Sequence, residues 1–309
     1  MDKNASIFLA GHRGLLGSAI LEKLQKEWYT NLILKTRDEL DLLDQAATYE
    51  FFRTYKPEYV ILSAAKVGGM AINIKKPADF LFDNLTIQNN VIWGAHLYGD
   101  TKKLIFLGSS CIYPRNSPQP MKEEYLMDGK VESTNEAYAI AKIAGMKLCE
   151  KIYEQYDKRF ISVMPTNIYG PGDNFDPDTS HVIPGMMTRM YEAKLRGDKE
   201  FTIWWTGNTR REFLYVTDLA DAIVWVLENY EEKQFLNVGT GSDISINELA
   251  DLLKQYIGYE GDFVHDLSKP DGFPKKLLDV SKLTALGWKS HVSFEAWLRN
   301  TYEWFLQNH

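Results

Sequence analysis

The chain opens with a short apolar run, Ser6-Ile-Phe-Leu-Ala10, then Gly11-His-Arg-Gly14-Leu-Leu-Gly17, then helical periodicity over residues 15–27. A strand, a glycine turn and a helix in that order begin a βαβ unit, and few folds accept such a start. Glycines permit a tight turn and a close backbone approach, and the helix N-terminus offers free N–H groups and positive potential to a diphosphate. The spacing is G-x-x-G-x-x-G rather than G-x-G-x-x-G. Gly11, His12, Arg13, Gly14, Leu15, Leu16 and Gly17 are therefore the expected dinucleotide-contacting segment.

The alternation continues down the chain. Strand-like runs at residues 31–35, 59–63, 103–107 and 160–164 are interleaved with helical stretches near 48–55, 78–98 and 136–156. Such a pattern predicts a parallel sheet covered on both faces, the doubly wound α/β (Rossmann) fold. It changes after Tyr169-Gly-Pro-Gly172. A polar loop (173–181) precedes a helix near 184–195 and an aromatic strand at 201–205, and further helices cover 246–257 and 294–307. Residues 213–216 and 235–238 read as returns to the first sheet. The expected division is a dinucleotide domain of residues 1–168 with about 211–240, and a smaller substrate lobe of 169–210 with 241–309. Ligand should lie outside the carboxyl ends of the strands.

Bulk properties narrow the classes. The two cysteines, Cys111 and Cys149, are too few for a disulfide framework and too sparse for a structural zinc site. A formal net charge of −7 argues against a general nucleic-acid binder. No apolar stretch is long enough to cross a bilayer and the first residues lack a signal-peptide core, so a cytoplasmic enzyme is expected.

Tyr138-Ala-Ile-Ala-Lys142 places a phenol and an ammonium one helical turn apart on the same face. The ammonium is expected to lower the phenol from its reference value near ~10. That pair suits proton transfer at a carbonyl or alcohol oxygen while a nicotinamide exchanges hydride with the adjacent carbon. Leu107-Gly108-Ser109-Ser110-Cys111 ends a buried run in polar residues, which makes Ser109 a natural partner for a substrate carbonyl. Cys149 sits within apolar helical periodicity and reads as core, whereas the thiol of Cys111 is placed to reach substrate. Arg37, following Lys35-Thr36, and Arg13 favour the 2′-phosphate of NADP over NAD. Asp38 and Asp41 are alternatively NAD-type acids or turn and cap residues.

Taken together, these segments resemble the extended short-chain dehydrogenase/reductase family, in particular its members that epimerise and reduce GDP-4-keto-6-deoxy sugars. The likeness rests on Ala10-Gly-His-Arg-Gly14, Thr36-Arg-Asp-Glu-Leu40, Ala64-Ala-Lys-Val-Gly-Gly69, Gly108-Ser-Ser-Cys-Ile-Tyr-Pro114, Asn135-Glu-Ala-Tyr-Ala-Ile-Ala-Lys142, Met164-Pro-Thr-Asn167, Ser180-His-Val-Ile-Pro184, Arg211-Glu-Phe213 and Lys269-Pro-Asp-Gly272. It implies that Ser109, Tyr138 and Lys142 perform a C4 reduction with NADPH. It implies that Cys111 and His181 are the base and acid of C3/C5 epimerisation. Beyond the glycine loop, the implied cofactor contacts are Arg37, Asp38, Leu40, Ala64 and Ala65. Leu107, Gly108, Ser109, Tyr138 and Lys142 follow, then Pro165, Asn167, Ile168 and His181. The implied sugar-nucleotide contacts are Ser109, Ser110, Cys111 and Asn167, with Arg189, Trp204, Arg211, Lys269 and Asp271 from the lobe. The chemistry requires both sets. A C4 ketone acidifies the C3 and C5 protons, and the resulting enolate oxygen needs hydrogen-bond donors. The substrate expected first is the 6-deoxymannose derivative, giving GDP-L-fucose; a GDP-heptose analogue is the alternative. The resemblance also implies a homodimer paired through the helices of 78–98 and 136–156.

Overall fold

The computed structural model describes all residues except Gly99, Asp178 and 269–272. Strands β1 (Ile7–Ala10), β2 (Leu32–Ile33), β3 (Tyr59–Leu62), β4 (Lys103–Leu107) and β5 (Arg159–Pro165) pair in parallel. Helices α1 (Leu15–Lys26), α2 (Gln45–Tyr55), α3 (Met70–Lys75), α4 (Pro77–Tyr98) and α5 (Glu136–Tyr156) lie between and after them. Side chains alternate across a strand, so β1 sends Ile7 and Leu9 into one core and Phe8 and Ala10 into the other. The first core takes Ile20 and Leu24 of α1. The second takes Phe52 of α2, Val91 and Ile92 of α4, and Cys149 of α5. Each large apolar side chain buried this way contributes roughly 1.5–3 kcal/mol.

After β5 the chain forms β6 (Asn167–Tyr169), α6 (Val182–Arg196), β7 (Glu200–Trp204), β8 (Arg210–Arg211), β9 (Phe213–Tyr215) and α7 (Val216–Asn229). Then β10 (Leu236–Val238) returns to pair with β5, which completes the order β10-β5-β4-β3-β1-β2. The sequence reading also assigns residues 213–216 to that sheet. Instead β9 pairs in parallel with β6 in a separate two-stranded sheet. The free side of β5 is already taken by β10. Moreover, Leu214 enters the first core while Phe213 and Tyr215 enter the lobe, and burial on both faces imitates a central strand. No element is expected over 217–229, yet α7 covers the first core with Leu219, Ile223 and Leu227. Lys103, buried at the start of β4, donates to the carbonyls of Leu227 and Tyr230 at 2.9 Å each and so satisfies the open end of α7.

The remaining elements are β11 (Ile244–Ser245), α8 (Ile246–Ile257), β12 (Asp262–Asp266), β13 (Lys275–Lys276), α9 (Ser281–Ala285) and α10 (Phe294–Asn308). A reciprocal cap starts α8: Glu248 N–H donates to Ser245 Oγ and Ser245 N–H to the Glu248 carboxylate. A third core joins Met186, Met187 and Met190 of α6 to Phe201 of β7, Leu249 and Leu253 of α8, and Leu298 and Phe305 of α10. Strand β8 lies between β11 and β13, with Lys276 opposite Arg211. No helix among the described residues is long and apolar enough to cross a membrane.

Candidate active site

A cavity of about 810 Å³ runs along the carboxyl ends of β1 to β5. At its centre lies the glycine loop. Gly11 has φ +88°, and a Cβ there would come within 2.7 Å of the Ala64 backbone nitrogen, so only glycine fits against the end of β3. A Cβ on Gly17 would lie 2.0 Å from the Gly11 carbonyl oxygen. Gly17 does not line the cavity itself; it lets α1 approach the loop from behind. Gly14 precedes α1 without a side-chain cap, so the helix's first N–H groups have no competing side-chain acceptor. His12, Arg13, Leu15, Leu16, Leu40, Ala64 and Ala65 line the same space.

One end of the cavity carries Arg13, Lys35, Arg37 and Asp38. Arg37 pairs with Asp41 at 3.7 Å, and Glu39 accepts the Thr36 N–H at 2.8 Å, which shapes the turn that presents them. Lys35 is a third cation beyond the two arginines; it sits 5.0 Å from the centre of the Tyr55 ring. Its place directly before Thr36-Arg37 is the signal that could have revealed it.

The opposite end holds Leu107, Gly108, Ser109, Tyr138, Lys142, Pro165, Asn167, Ile168 and His181. Gly108 packs closely on β5: a Cβ there would come within 2.2 Å of the Met164 sulfur, and the methionine side chain would have to shift. Lys142 Nζ donates to the Leu107 carbonyl at 2.7 Å and lies 5.7 Å from the centre of the Tyr138 ring. Burial pushes Lys142 down to about 8, with Cys111 opposing. Tyr138 departs from expectation: burial pushes its phenol up, Cys111 adds to the rise, and no lowering by Lys142 emerges. The ammonium is directed at the Leu107 carbonyl and is itself drawn toward neutrality, so desolvation outweighs its attraction.

Ser110 and Cys111 do not line the cavity; both are buried in the one-turn 3-10 helix Ser110–Ile112, which follows β4. The Cys111 N–H donates to Ser109 Oγ at 3.4 Å. Burial pushes the Cys111 thiol up, opposed by Lys276, Ser109 and Lys142 in that order. His181 stands at the N-cap position of α6 without a side-chain cap hydrogen bond; partial desolvation where it lines the cavity, and then Lys276, push it down. Lys276, itself pushed down to about 8 by burial, is therefore felt by both residues and also by Arg211. The sequence reading missed it, because adjacent lysines such as Lys275-Lys276 look like a solvated pair.

The lobe residues stand apart from this cavity. Arg189 of α6 stacks 4.3 Å from the Trp204 ring and donates to the Thr202 carbonyl at 3.3 Å. Arg211 Nη1 donates to the carbonyls of Arg210 and Phe273 at 2.8 and 2.6 Å. Lys269 and Asp271 lie outside the described residues. Asp173, absent from the sequence reading, lines the cavity; burial pushes its carboxyl up to about 6. Its Oδ1 accepts the Asn174 N–H at 2.7 Å, and its Oδ2 is buried without a partner.

Known proteins share this architecture. Residues 7–239 match the model of the NAD dependent epimerase/dehydratase family. Over 307 residues the chain is 54% identical to GDP-L-fucose synthase 1 of Arabidopsis thaliana, covering 99% of this chain and 95% of that one. It is similar to the crystal structure of a GDP-6-OMe-4-keto-L-xylo-heptose reductase from C. jejuni, with TM-score 0.95 and 38% identity over 100% and 99% of the two chains. It is also similar to a GDP-L-fucose synthetase from Naegleria fowleri bound to NADP, with TM-score 0.90 and 30% identity over 100% and 96% of the two chains. On the extent of the family match and of the Arabidopsis identity, the chain belongs to the NAD dependent epimerase/dehydratase family.

Proposed function

We propose that the chain is an enzyme that epimerises C3 and C5 of GDP-4-keto-6-deoxy-D-mannose and reduces its C4 ketone with NADPH, giving GDP-L-fucose. One observation carries this reading: Ser109, Tyr138 and Lys142 line one end of the cavity together with His181, and Cys111 is buried directly behind Ser109, to whose Oγ its N–H donates. The full-length identity to the Arabidopsis synthase supports the same substrate.

The cavity residues fit a dinucleotide phosphate. The uncapped α1 N–H groups would hold its diphosphate, and Arg13, Lys35 and Arg37 would pair with its 2′-phosphate. NADPH, when bound, supplies hydride for C4. Ser109 and Tyr138 hold the C4 oxygen by hydrogen bonds and stabilise the negative charge that forms there on C–H deprotonation. Cys111 takes the proton and His181 returns one to the opposite face. Tyr138 finally donates its proton to the C4 oxygen, with Lys142 fixing the helix beneath it. Arg189, Trp204 and Arg211 hold the nucleotide, the arginines at the phosphates and the indole as a stacking platform.

In this reading residues 1–168 with about 211–240 bind the cofactor, and 169–210 with 241–309 form the substrate lobe. A second copy covers the outer face of α4 and α5, where Phe82, Leu97, Ile140 and Tyr156 are exposed. Two buried free cysteines accord with a reducing compartment, the cytoplasm. The decisive test is incubation with NADPH and the GDP-4-keto sugar in D2O, with products identified by NMR. GDP-L-fucose deuterated at C3 and C5 is expected; no NADPH consumption would refute the reading. The likeness to the C. jejuni reductase favours a second substrate, a GDP-4-keto heptose, which the same assay distinguishes.

A further inference from the structure

The Arg211-Glu212-Phe213 segment holds a residue with no part in the chemistry above. Glu212 is fully buried, and no cation among the described residues pairs with it. Its main partners are backbone donors from two segments remote in sequence, with the Thr240 hydroxyl also donating at 3.4 Å. One carboxylate oxygen accepts the N–H groups of Thr240 and Gly241 at 2.7 and 2.8 Å, and the other accepts that of Leu278 at 2.9 Å. The Glu212 main chain completes the junction. Its N–H donates to the Lys276 carbonyl at 3.2 Å. Its carbonyl accepts Thr166 Oγ1 at 3.1 Å and Asn167 Nδ2 at 2.9 Å. Close packing enforces the arrangement: a Cβ on Gly239 would lie 2.3 Å from a Glu212 carboxylate oxygen.

A buried carboxylate without a cation is costly, and an apolar residue of similar volume would avoid that cost. What the carboxylate supplies instead is geometry. The carboxylate ties Leu278 to Thr240 and Gly241, and so fixes the segment carrying Lys276 against the residue whose main chain holds the Lys276 carbonyl and the Asn167 amide; Arg211 is its chain neighbour. Resting on the function proposed above, we propose that Glu212 is a positioning residue that sets Arg211, Lys276 and Asn167 in register for the GDP-sugar. It touches neither substrate nor cofactor. Its effect should therefore fall first on sugar-nucleotide binding, with NADPH affected less, since of the three residues only Asn167 lines the cofactor cavity.

Glu212→Gln tests this, because the amide NH2 must face an N–H donor while size is retained. GDP affinity, measured by calorimetry and normalised to NADPH-binding sites, is expected to fall about tenfold or more, the loss for a mispositioned charged hydrogen bond. NADPH affinity should stay within about threefold, and KM for the GDP-sugar should rise in step with the GDP Kd while kcat changes less. A lowered melting temperature with unchanged GDP affinity per NADPH site would overturn the proposal and leave Glu212 a purely structural residue. Should that variant fail to fold, Gly239→Ala keeps the carboxylate but displaces it. Weakened GDP binding is expected again, and unchanged GDP binding would refute the positioning role. The GDP measurement needs no turnover. If the wild type ignored the keto sugar, the proposed activity would fall while the role of Glu212 was still decided.

Discussion

Lys142 on α5 donates a 2.7 Å hydrogen bond to the carbonyl of Leu107, the last residue of β4. That bond fastens the helix carrying Tyr138 to the strand end carrying Ser109, so both groups keep one separation while the C4 oxygen changes charge. Lys142→Met would leave the Leu107 carbonyl unsatisfied, at about 1–3 kcal/mol. Reduction is expected to fall about 10²-fold or more, the scale for a lost acid–base element. Because burial holds Lys142 at about 8, the wild-type reduction rate should also decline above that pH. Stopped-flow NADPH oxidation from pH 6 to 9.5 checks both. A Lys142→Met variant retaining normal rates would remove Lys142 from the mechanism.

How much of this was legible beforehand follows from the range of the forces. The glycine loop, the strands β1, β3, β4 and β5 and the Tyr138–Lys142 spacing are local patterns, and the sequence displays them directly. Lys276 and Asp173 were missed because their character depends on what folds over them. Lys276 lies 138 residues from Tyr138 in sequence, and a lysine pair gives no local sign of burial. The Tyr138 phenol was misjudged in sign for a related reason: helical spacing brings in the ammonium, but only tertiary packing sets the larger desolvation. Strand β9 was misplaced because burial on both faces does not say which sheet is adjacent.

Cofactor choice is testable at Arg37. Its side chain is largely exposed and, among the described residues, pairs with Asp41 at 3.7 Å, so a 2′-phosphate is a better partner for it. Arg37→Ala is expected to weaken NADPH by about tenfold, at the low end for a charge-assisted bond because of solvent screening. NADH should be nearly unaffected. Lys35 and Arg13 remain, so some preference for NADPH should persist. Equal weakening of both cofactors in fluorescence titrations would refute the assignment.

Asp173 makes a prediction about stability. Its folded pKa of about 6 lies above the unfolded value near ~3.9, so the native state binds extra protons between those limits. The cost of burying the charge is absent below about pH 4 and complete above about pH 6; stability contributed by this group therefore falls as pH rises through that window. Asp173→Asn keeps the acceptor for the Asn174 N–H and removes the charge. The variant should be more stable than wild type by about 1–3 kcal/mol at pH 7, with the gain vanishing near pH 4. Urea denaturation at the two pH values measures it, and a gain independent of pH would exclude this explanation.

The two chemistries separate at Cys111. The thiol is buried beside Ser109, and burial raises it while Lys276 offers the largest opposing pull, so thiolate formation depends on that ammonium. Cys111→Ser replaces a thiol of reference pKa ~8.5 by an alcohol, a far weaker base. Exchange of C3 and C5 protons with D2O should nearly cease, while Ser109, Tyr138 and Lys142 still reduce C4. The expected product is an unepimerised GDP-6-deoxy sugar, formed with slow NADPH consumption. Lys276→Met should act on the same step from outside: with the cation gone, the pH midpoint for exchange should move upward while Cys111 itself remains. His181→Asn should block reprotonation rather than proton removal, so exchange from the base side should outlast inversion. Full C3/C5 exchange in Cys111→Ser would show that the thiol only packs against Ser109, and the base would then have to be a group that lines the cavity.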